Sequence, residues 1–339
     1  MRDSQVKGYL LEIEIAKYLK MNGYYIISST DSIVTNNINL SKQGNGLNVL
    51  GRGGWAQVDA LGELKIATPF MNPIRLLVEA KYYKGAVGVD VIRKSVGILE
   101  DINTNYSPAT LIEYKKGNAS GGEYNIGHYI REFGAKYDYK YAICSANGFT
   151  KDAENFALAH GIYLIDLNYD RYGSVKMSVD DQVDTFKQFA SEFRSSKRSG
   201  SITSAYVDHI KGGSEEGFTQ NPREGMYFTN SVSGVMGQIY AMDNEKFVNS
   251  FRESRHQTVN MSVRSPENER MRDELTIEGN GWEAMYSIPL GMQDFATEKF
   301  LFIAYFDGKN PDLCTIEIEE FCDRRKFGRS EMNSKVILQ

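Results

Sequence analysis

The sequence predicts an α/β fold in which a mixed sheet is flanked by helices and followed by a β-rich second domain. Three observations predict it. The first 194 residues alternate helix-period and strand-type stretches, the order expected of a mixed α/β sheet. A polar run, Ser195-Ser-Lys-Arg-Ser-Gly-Ser201, then interrupts the pattern. Beyond it lie short alternating apolar and polar runs of strand length. The expected division is therefore an α/β domain over residues 1–194, a linker over 195–203, and a β-rich recognition or regulatory domain over 204–339.

The elements follow in order. Residues 6–21 place Tyr9, Leu10, Ile13, Ala16, Tyr18 and Leu19 near a helical period, and Gly23 is a natural stop. Tyr24–Ser28 is a short strand. The polar, Gly- and Asn-rich stretch 30–54 reads as loops with room for one strand. Trp55–Leu64 reads as a strand, and Ile74–Tyr83 as a stronger one. Val89–Leu99 reads as a helix, 103–127 as a loop rich in glycine, and 129–136 as a helix. Lys140–Ser145 is a strand. Thr150 then caps a helix whose first turn carries Asp152 and Glu154 and which ends at Gly161. Ile162–Leu167 is a strand, and Ser178–Arg194 an amphipathic helix with Val183, Phe186, Phe189, Ala190 and Phe193 on one face. In the second half, strands are expected at 225–230, 237–242, 258–263, 282–288, 300–306 and 314–318, with a helix near 244–255.

Composition narrows the function classes. The chain has 339 residues and a formal net charge of −5, which argues against a purely electrostatic DNA binder. The first 194 residues are electrically balanced and the acidic excess lies after them, so the first half is the better partner for a polyanion. Three cysteines, Cys144, Cys314 and Cys322, form neither a disulfide framework nor a Cys-x-x-Cys zinc site. His128, His160, His209 and His256 are scattered. Neither a signal-peptide core nor an apolar run of membrane-spanning length (about 20 residues) is present, so a cytoplasmic protein with no membrane partner is expected.

One constellation carries chemistry. Asp59 lies in Ala-Gln-Val-Asp-Ala-Leu, and Glu79 and Lys81 end the strand Ile-Arg-Leu-Leu-Val-Glu-Ala-Lys. Residues i and i+2 of a strand share a face, so Glu79 and Lys81 project together and Ala80 faces away. If the two strands pair, Asp59 joins Glu79. Carboxylates suit a hard cation such as Mg²⁺, which activates water and polarises a phosphodiester, and a lysine can orient that water. Glu-x-Lys alone is weak: Glu63-Leu-Lys65 and Glu113-Tyr-Lys115 fit it too. Only Glu79 follows a long apolar strand and has an upstream Asp approached through Gly51-Arg-Gly-Gly-Trp-Ala-Gln-Val-Asp59. A salt-bridged strand end remains the plain alternative. Lys84, Arg93 and Lys94 follow the pair and could hold phosphates, or be exposed solubilising charge. Tyr82 and Tyr83 could stack on bases, although core packing explains them more simply.

Four stretches of the first ~170 residues resemble the PD-(D/E)XK nuclease superfamily, and within it the Mrr-type restriction endonucleases. They are Lys7-Gly-Tyr-Leu-Leu-Glu12-Ile-Glu-Ile-Ala16-Lys-Tyr-Leu19, Gly54-Trp-Ala-Gln-Val-Asp59, Val78-Glu79-Ala-Lys81-Tyr-Tyr-Lys84 with the following Val87–Arg93, and Ser145–Asp166. The resemblance implies a restriction-endonuclease-like sheet, with Asp59 and Glu79 as metal ligands, Lys81 at the nucleophilic water and a supporting acid from the opening helix. Glu12 matches that acid, with Glu14 as competitor. It further implies a Mg²⁺-dependent endodeoxyribonuclease, with Mn²⁺ as a substitute, DNA as partner, and a role in restriction or anti-phage defence. A homodimer would suit double-strand cutting. The β-rich half would take a protein or small-ligand activator or recognise the target. A non-catalytic nucleic-acid-binding protein on the same framework is the alternative. The chain departs from the family at 103–127, which reads as an insertion, and in the bulk of Trp-Ala-Gln before Asp59.

Overall fold

The computed structural model describes residues 2–29, 31–37, 39–43, 46–64, 72–105, 136–168 and 173–196 of the first half. In the second half it describes 202, 205–206, 225–231, 236–243, 245–247, 249, 256–264, 274–279, 281–287, 299–306, 310–318 and 332–338. The expected loop at 103–127 and helix at 129–136 fall almost wholly outside these residues, as does Glu113. No described helix is long and apolar enough to cross a membrane.

The first half is a mixed α/β unit. Helix α1 (Asp3–Met21) leads into β1 (Tyr24–Ile26), and a short α2 (Ser32–Asn36) follows. A three-stranded antiparallel sheet comes next: β2 (Leu40–Gln43), β3 (Gly46–Leu50) and β4 (Trp55–Val58). Then come β5 (Ala60–Leu64), β6 (Ile74–Lys81), α3 (Val89–Asn103), β7 (Asp138–Ser145), α4 (Lys151–Ala159), β8 (Ile162–Asp166), α5 (Gly173–Asp181) and α6 (Val183–Ser195). The main sheet has the order β1-β5-β6-β7-β8, antiparallel on one side of β6 and parallel on the other.

Strand β6 is central, and its sequence shows why. A strand covered on both faces reads as a continuous apolar run. Leu76, Val78 and Ala80 pack toward α1 and α6, while Leu77 packs toward α3 and α4 with Tyr141 and Ile143 of β7. Helix α1 is buried on most of its circumference: Val6, Leu10, Leu11, Ile13, Ile15, Tyr18, Leu19 and Met21 are all core residues. It touches β6, α5, α6 and a strand of the second half at once.

Several expectations need correction. Trp55–Leu64 is two strands, broken at Asp59, because the chain there passes from the small sheet to the main one. The described part of 30–54 holds a helix and two strands. Ser178–Arg194 is two helices meeting at Gln182, whose side chain folds back onto Ser178. Beyond the expected linker, the Tyr206 ring packs 4.7 Å from Phe186 and 5.3 Å from Phe189, between centroids.

The second half is β-rich as expected. Its described strands are β9 (Gly225–Ser231), β10 (Met236–Ala241), β11 (His256–Arg264), β12 (Glu274–Gly279), β13 (Trp282–Ser287), β14 (Lys299–Phe306), β15 (Asn310–Ile318) and β16 (Met332–Leu338). They close into a barrel in the order β10-β13-β12-β11-β16-β15-β14-β9. Closure removes the exposed strand edges that invite aggregation. Strands β12 and β16 were not legible as strands. Of the helix expected at 244–255, only 245–247 and 249 are described, and these are helical. Phe247 packs on Tyr227 and Trp282, which are buried together with Ile239, Ile277 and Ala284. Gly279 has no side chain for a physical reason: any Cβ there would strike the Trp282 ring.

A buried amide joins the halves. Asn22, 3% exposed at the end of α1, donates from Nδ2 to the Tyr18 carbonyl at 2.7 Å and the Met226 carbonyl at 2.9 Å. Its Oδ1 accepts from the Phe228 N–H at 2.6 Å. The side chain thus pairs with β9 as a neighbouring peptide would. Replacement Asn22→Ala strands a buried donor and acceptor on β9 and is expected to cost about 1–3 kcal/mol of stability. Urea unfolding measures this, and an unchanged midpoint would show that the amide contributes nothing.

Candidate active site

Asp59 occupies the break between β4 and β5. Its Oδ2 accepts a hydrogen bond from the Ala80 N–H at 2.9 Å. That bond fastens the carboxylate to β6, one residue from Glu79. The antiparallel register pairs Ala60 with Val78, and one further step sets Asp59 opposite Glu79. The interruption of the strand is therefore what lets a side chain, rather than a backbone carbonyl, meet β6 at this point.

Glu79 and Lys81 share a face, as the strand period requires. Lys81 Nζ lies 2.5 Å from Glu79 Oε1. The other oxygen, Oε2, accepts from the Tyr141 hydroxyl at 3.0 Å and has Ser95 Oγ at 3.4 Å. Sequence reasoning missed both supports. Ser95 is fully buried on α3, and a lone polar residue on an otherwise apolar helix face was the available signal. Tyr141 belongs to β7, whose pairing with β6 no local pattern announces. Burial, with the charge of Glu79 beside it, pushes the Tyr141 hydroxyl well above its ordinary range, so it stays a neutral donor.

Glu12 reaches the site from α1. Burial first, and the charge of Asp59 second, push its carboxyl from 4.5 up to about 8, with Lys81 pulling the other way. Burial also raises Asp59, against the Ala80 N–H and the Lys81 charge, while Glu79 adds to the rise. Burial works against the Lys81 ammonium, but the hydrogen bond and charge of Glu79, with Asp59 behind them, hold its pKa above the usual lysine value. Glu14, the competitor, is engaged elsewhere. It accepts from Lys17 at 2.6 Å and from Ser178 and Gln182 at 3.1 Å each, tying α1 to α5.

The remaining sequence candidates divide. Lys94 lies near enough for its charge to act on Asp59. Arg93 turns away: it pairs with Asp90 at 3.0 Å and lies over the Phe156 ring. Lys84 is exposed just beyond β6. Tyr83 is 48% exposed, whereas the Tyr82 hydroxyl donates to Asp180. The decoy Glu63 has a structural task, accepting from Arg75 Nε at 3.0 Å and Nη2 at 2.9 Å.

Glu12, Asp59 and Glu79 form an all-oxygen set, the type that hard cations take. Two of the three carboxyls are raised because burial and mutual repulsion outweigh the cations beside them. A divalent cation would relieve both, so the donor chemistry fits Mg²⁺ or Mn²⁺, with Asp59 and Glu79 as the ligands. Among the described residues, no group of three or more His, Cys, Asp or Glu side chains is already disposed as a metal cage.

No family model matches the chain, and no curated protein matches it. Among solved structures, it is similar to a crystal structure of a protein of unknown function. The identity is 13% and the TM-score 0.28, over 48% of this chain and 59% of that one. The match spans less than two thirds of that protein's length.

The Glu12 shift sets a pH dependence. In the metal-free protein, the folded state keeps the Glu12 proton up to about pH 8, whereas the unfolded chain releases it near 4.5. Folding therefore takes up a proton across that window, and stability falls as pH rises through it. Urea unfolding at pH 5 and pH 8 without divalent cations should show this fall, and Glu12→Gln should reduce it. An identical pH slope in the variant would contradict the burial of this carboxyl.

Proposed function

We propose that the chain is a metal-dependent nuclease of restriction-endonuclease-like fold, related to the Mrr-type enzymes, that hydrolyses DNA phosphodiester bonds. The observation that carries the reading is the convergence of Asp59, Glu79, Lys81 and Glu12 at the C-terminal end of β6, from three separate elements. Asp59 and Glu79 would hold the cation. When bound, Mg²⁺ (or Mn²⁺ in its place) supplies Lewis-acid polarisation of the phosphodiester and activation of water. Lys81 stays protonated through Glu79, so it can hold the attacking water and offset charge gathering on the phosphate. Tyr141 and Ser95 hold the Glu79 carboxylate in place. Glu12 keeps a proton at neutral pH in the metal-free protein and completes the acidic cluster. Lys94 is the best placed of the nearby cations to meet a phosphate. Restriction or anti-phage defence, a homodimer that cuts both strands, and an activator acting through the barrel belong to the same reading.

One observation favours a second reading, a non-catalytic nucleic-acid-binding protein. Both oxygens of Glu79 are already engaged, one by Lys81 and one by Tyr141 and Ser95. Metal binding would have to draw Glu79 away from Lys81.

Plasmid, linear and single-stranded DNA, methylated and unmethylated, incubated with and without Mg²⁺, separate the two. Cleavage that requires Mg²⁺ and falls at least about 100-fold in Asp59→Ala and in Lys81→Ala is expected. Cleavage undiminished in both variants would overturn the site assignment. DNA binding without cleavage of any substrate would favour the second reading.

A further inference from the structure

The small sheet β2–β4 differs from the rest of the molecule. Its inner face is apolar: Leu40, Leu47, Val49 and Val58 are buried against the core. On its other face Gln57 pairs with Asn48, Asn48 with Ser41 and Trp55 with Leu50; Gln57 is exposed there, whereas Asn48 is 6% exposed. Trp55 stands two residues before Gln57 and is 41% exposed, whereas the chain's other tryptophan, Trp282, is 1% exposed. A large aromatic standing in water on a sheet face gains nothing from the core.

Charge singles out the same segment. The chain carries 44 acidic residues, yet none lies between Asp31 and Asp59, where Lys42 and Arg52 are the charged side chains. Both are exposed. Arg52 sits in the turn Gly51–Gly54 that launches β4, and the turn is built to a fixed shape. The Gly53 N–H donates to Asp101 Oδ1 at 2.8 Å, and the Arg52 N–H to the Asp101 carbonyl at 3.0 Å. A Cβ on Gly51 would strike the same carboxylate. The Asp101 carboxylate thus holds one backbone donor of the turn, and the exposed Arg52 precedes Trp55 by three residues. Asp59 directly follows the strand that begins at Trp55, about 13 Å further at ~3.3 Å per residue.

Resting on the nuclease reading, we infer that the outer face of β2–β4 is a nucleic-acid subsite, where Trp55 stacks on an unpaired or extruded base and Arg52 meets a phosphate of the strand whose scissile bond lies at Asp59. Aromatic rings beside cations on a sheet are the usual platform for unstacked bases.

Tryptophan emission tests this directly, because Trp282 is shielded. Single-stranded and duplex oligodeoxynucleotides are titrated into the full chain with Ca²⁺ in place of Mg²⁺. Quenching of the exposed tryptophan is expected on binding, and it should vanish in Trp55→Phe. Affinity should fall about 5- to 150-fold in Trp55→Ala and stay within a few-fold of wild type in Trp55→Phe, which keeps a ring. Binding without any change in emission, or Trp55→Ala binding as tightly as wild type, would overturn the subsite. If Asp59-dependent cleavage persists alongside either of those results, the nuclease reading stands without the subsite. No binding of any oligonucleotide would overturn both.

Discussion

Strand β6 is hydrogen-bonded along both edges and covered on both faces, and that constraint organises the first half of the molecule. Leu76, Val78 and Ala80 fill one side and Leu77 the other, so a polar side chain is tolerated only with a partner or at the strand's end. Arg75, 1% exposed, shows the first case, with Glu63, the Tyr139 hydroxyl and the Tyr137 ring all recruited to satisfy it. Glu79 and Lys81 show the second. They stand where the sheet gives way to solvent, and the bend at Asp59 brings a third charged group to the same place. Burial raises Asp59 and carries Glu12 up to about 8, and the lysine is held charged by the pair it makes. Such divergent environments for neighbouring titratable groups are what general acid–base and metal chemistry require.

Helix α1 connects this site to the barrel. Glu12 lies beside Asp59 and Lys81, and Asn22, ten residues further along and about 15 Å away on an ideal helix, hydrogen-bonds β9. A helix buried on most of its surface is a poor place for independent movement, since its core contacts on several sides must shift together. The site and the barrel are consequently joined by one rigid element whose ends carry a buried acid and a buried amide. Beside it, Met226 of β9 is buried in the same core as Leu10 and Leu19 of α1, and Gln238 Nε2 of β10 lies 3.5 Å from the Leu164 carbonyl of β8.

Much of this was legible in the sequence. The apolar run before Glu79 marked a central strand, and the period of two placed Glu79 and Lys81 on one face. Thr150 at its cap, where the side chain accepts from the Ala153 N–H at 3.3 Å, marked α4. Six of the eight described barrel strands announced themselves by alternation. The failures share a cause: they depend on partners remote in the chain. The break at Asp59 follows from two sheets meeting, which local alternation cannot signal. The support of Glu79 by Tyr141 and Ser95 depends on parallel pairing across an intervening helix. Glu12 was preferred to Glu14 by resemblance alone, and the partners that engage Glu14, Ser178 and Gln182, come from the far end of the domain. Decoy Glu63 shares the Glu-x-Lys pattern, and its structural task comes from Arg75 across the strand pair.

The binding of a metal ion at Asp59 and Glu79 is the claim on which the functional reading depends. Paramagnetic Mn²⁺ tests it without reference to any substrate, because the Ala80 amide donates to Asp59 and so reports on that carboxylate. In amide NMR spectra, sub-stoichiometric Mn²⁺ should broaden the resonances of residues 59–60 and 79–81 before any others, and Asp59→Asn should abolish the effect. Broadening that begins elsewhere, or that survives in Asp59→Asn, would contradict a metal centre at the end of β6.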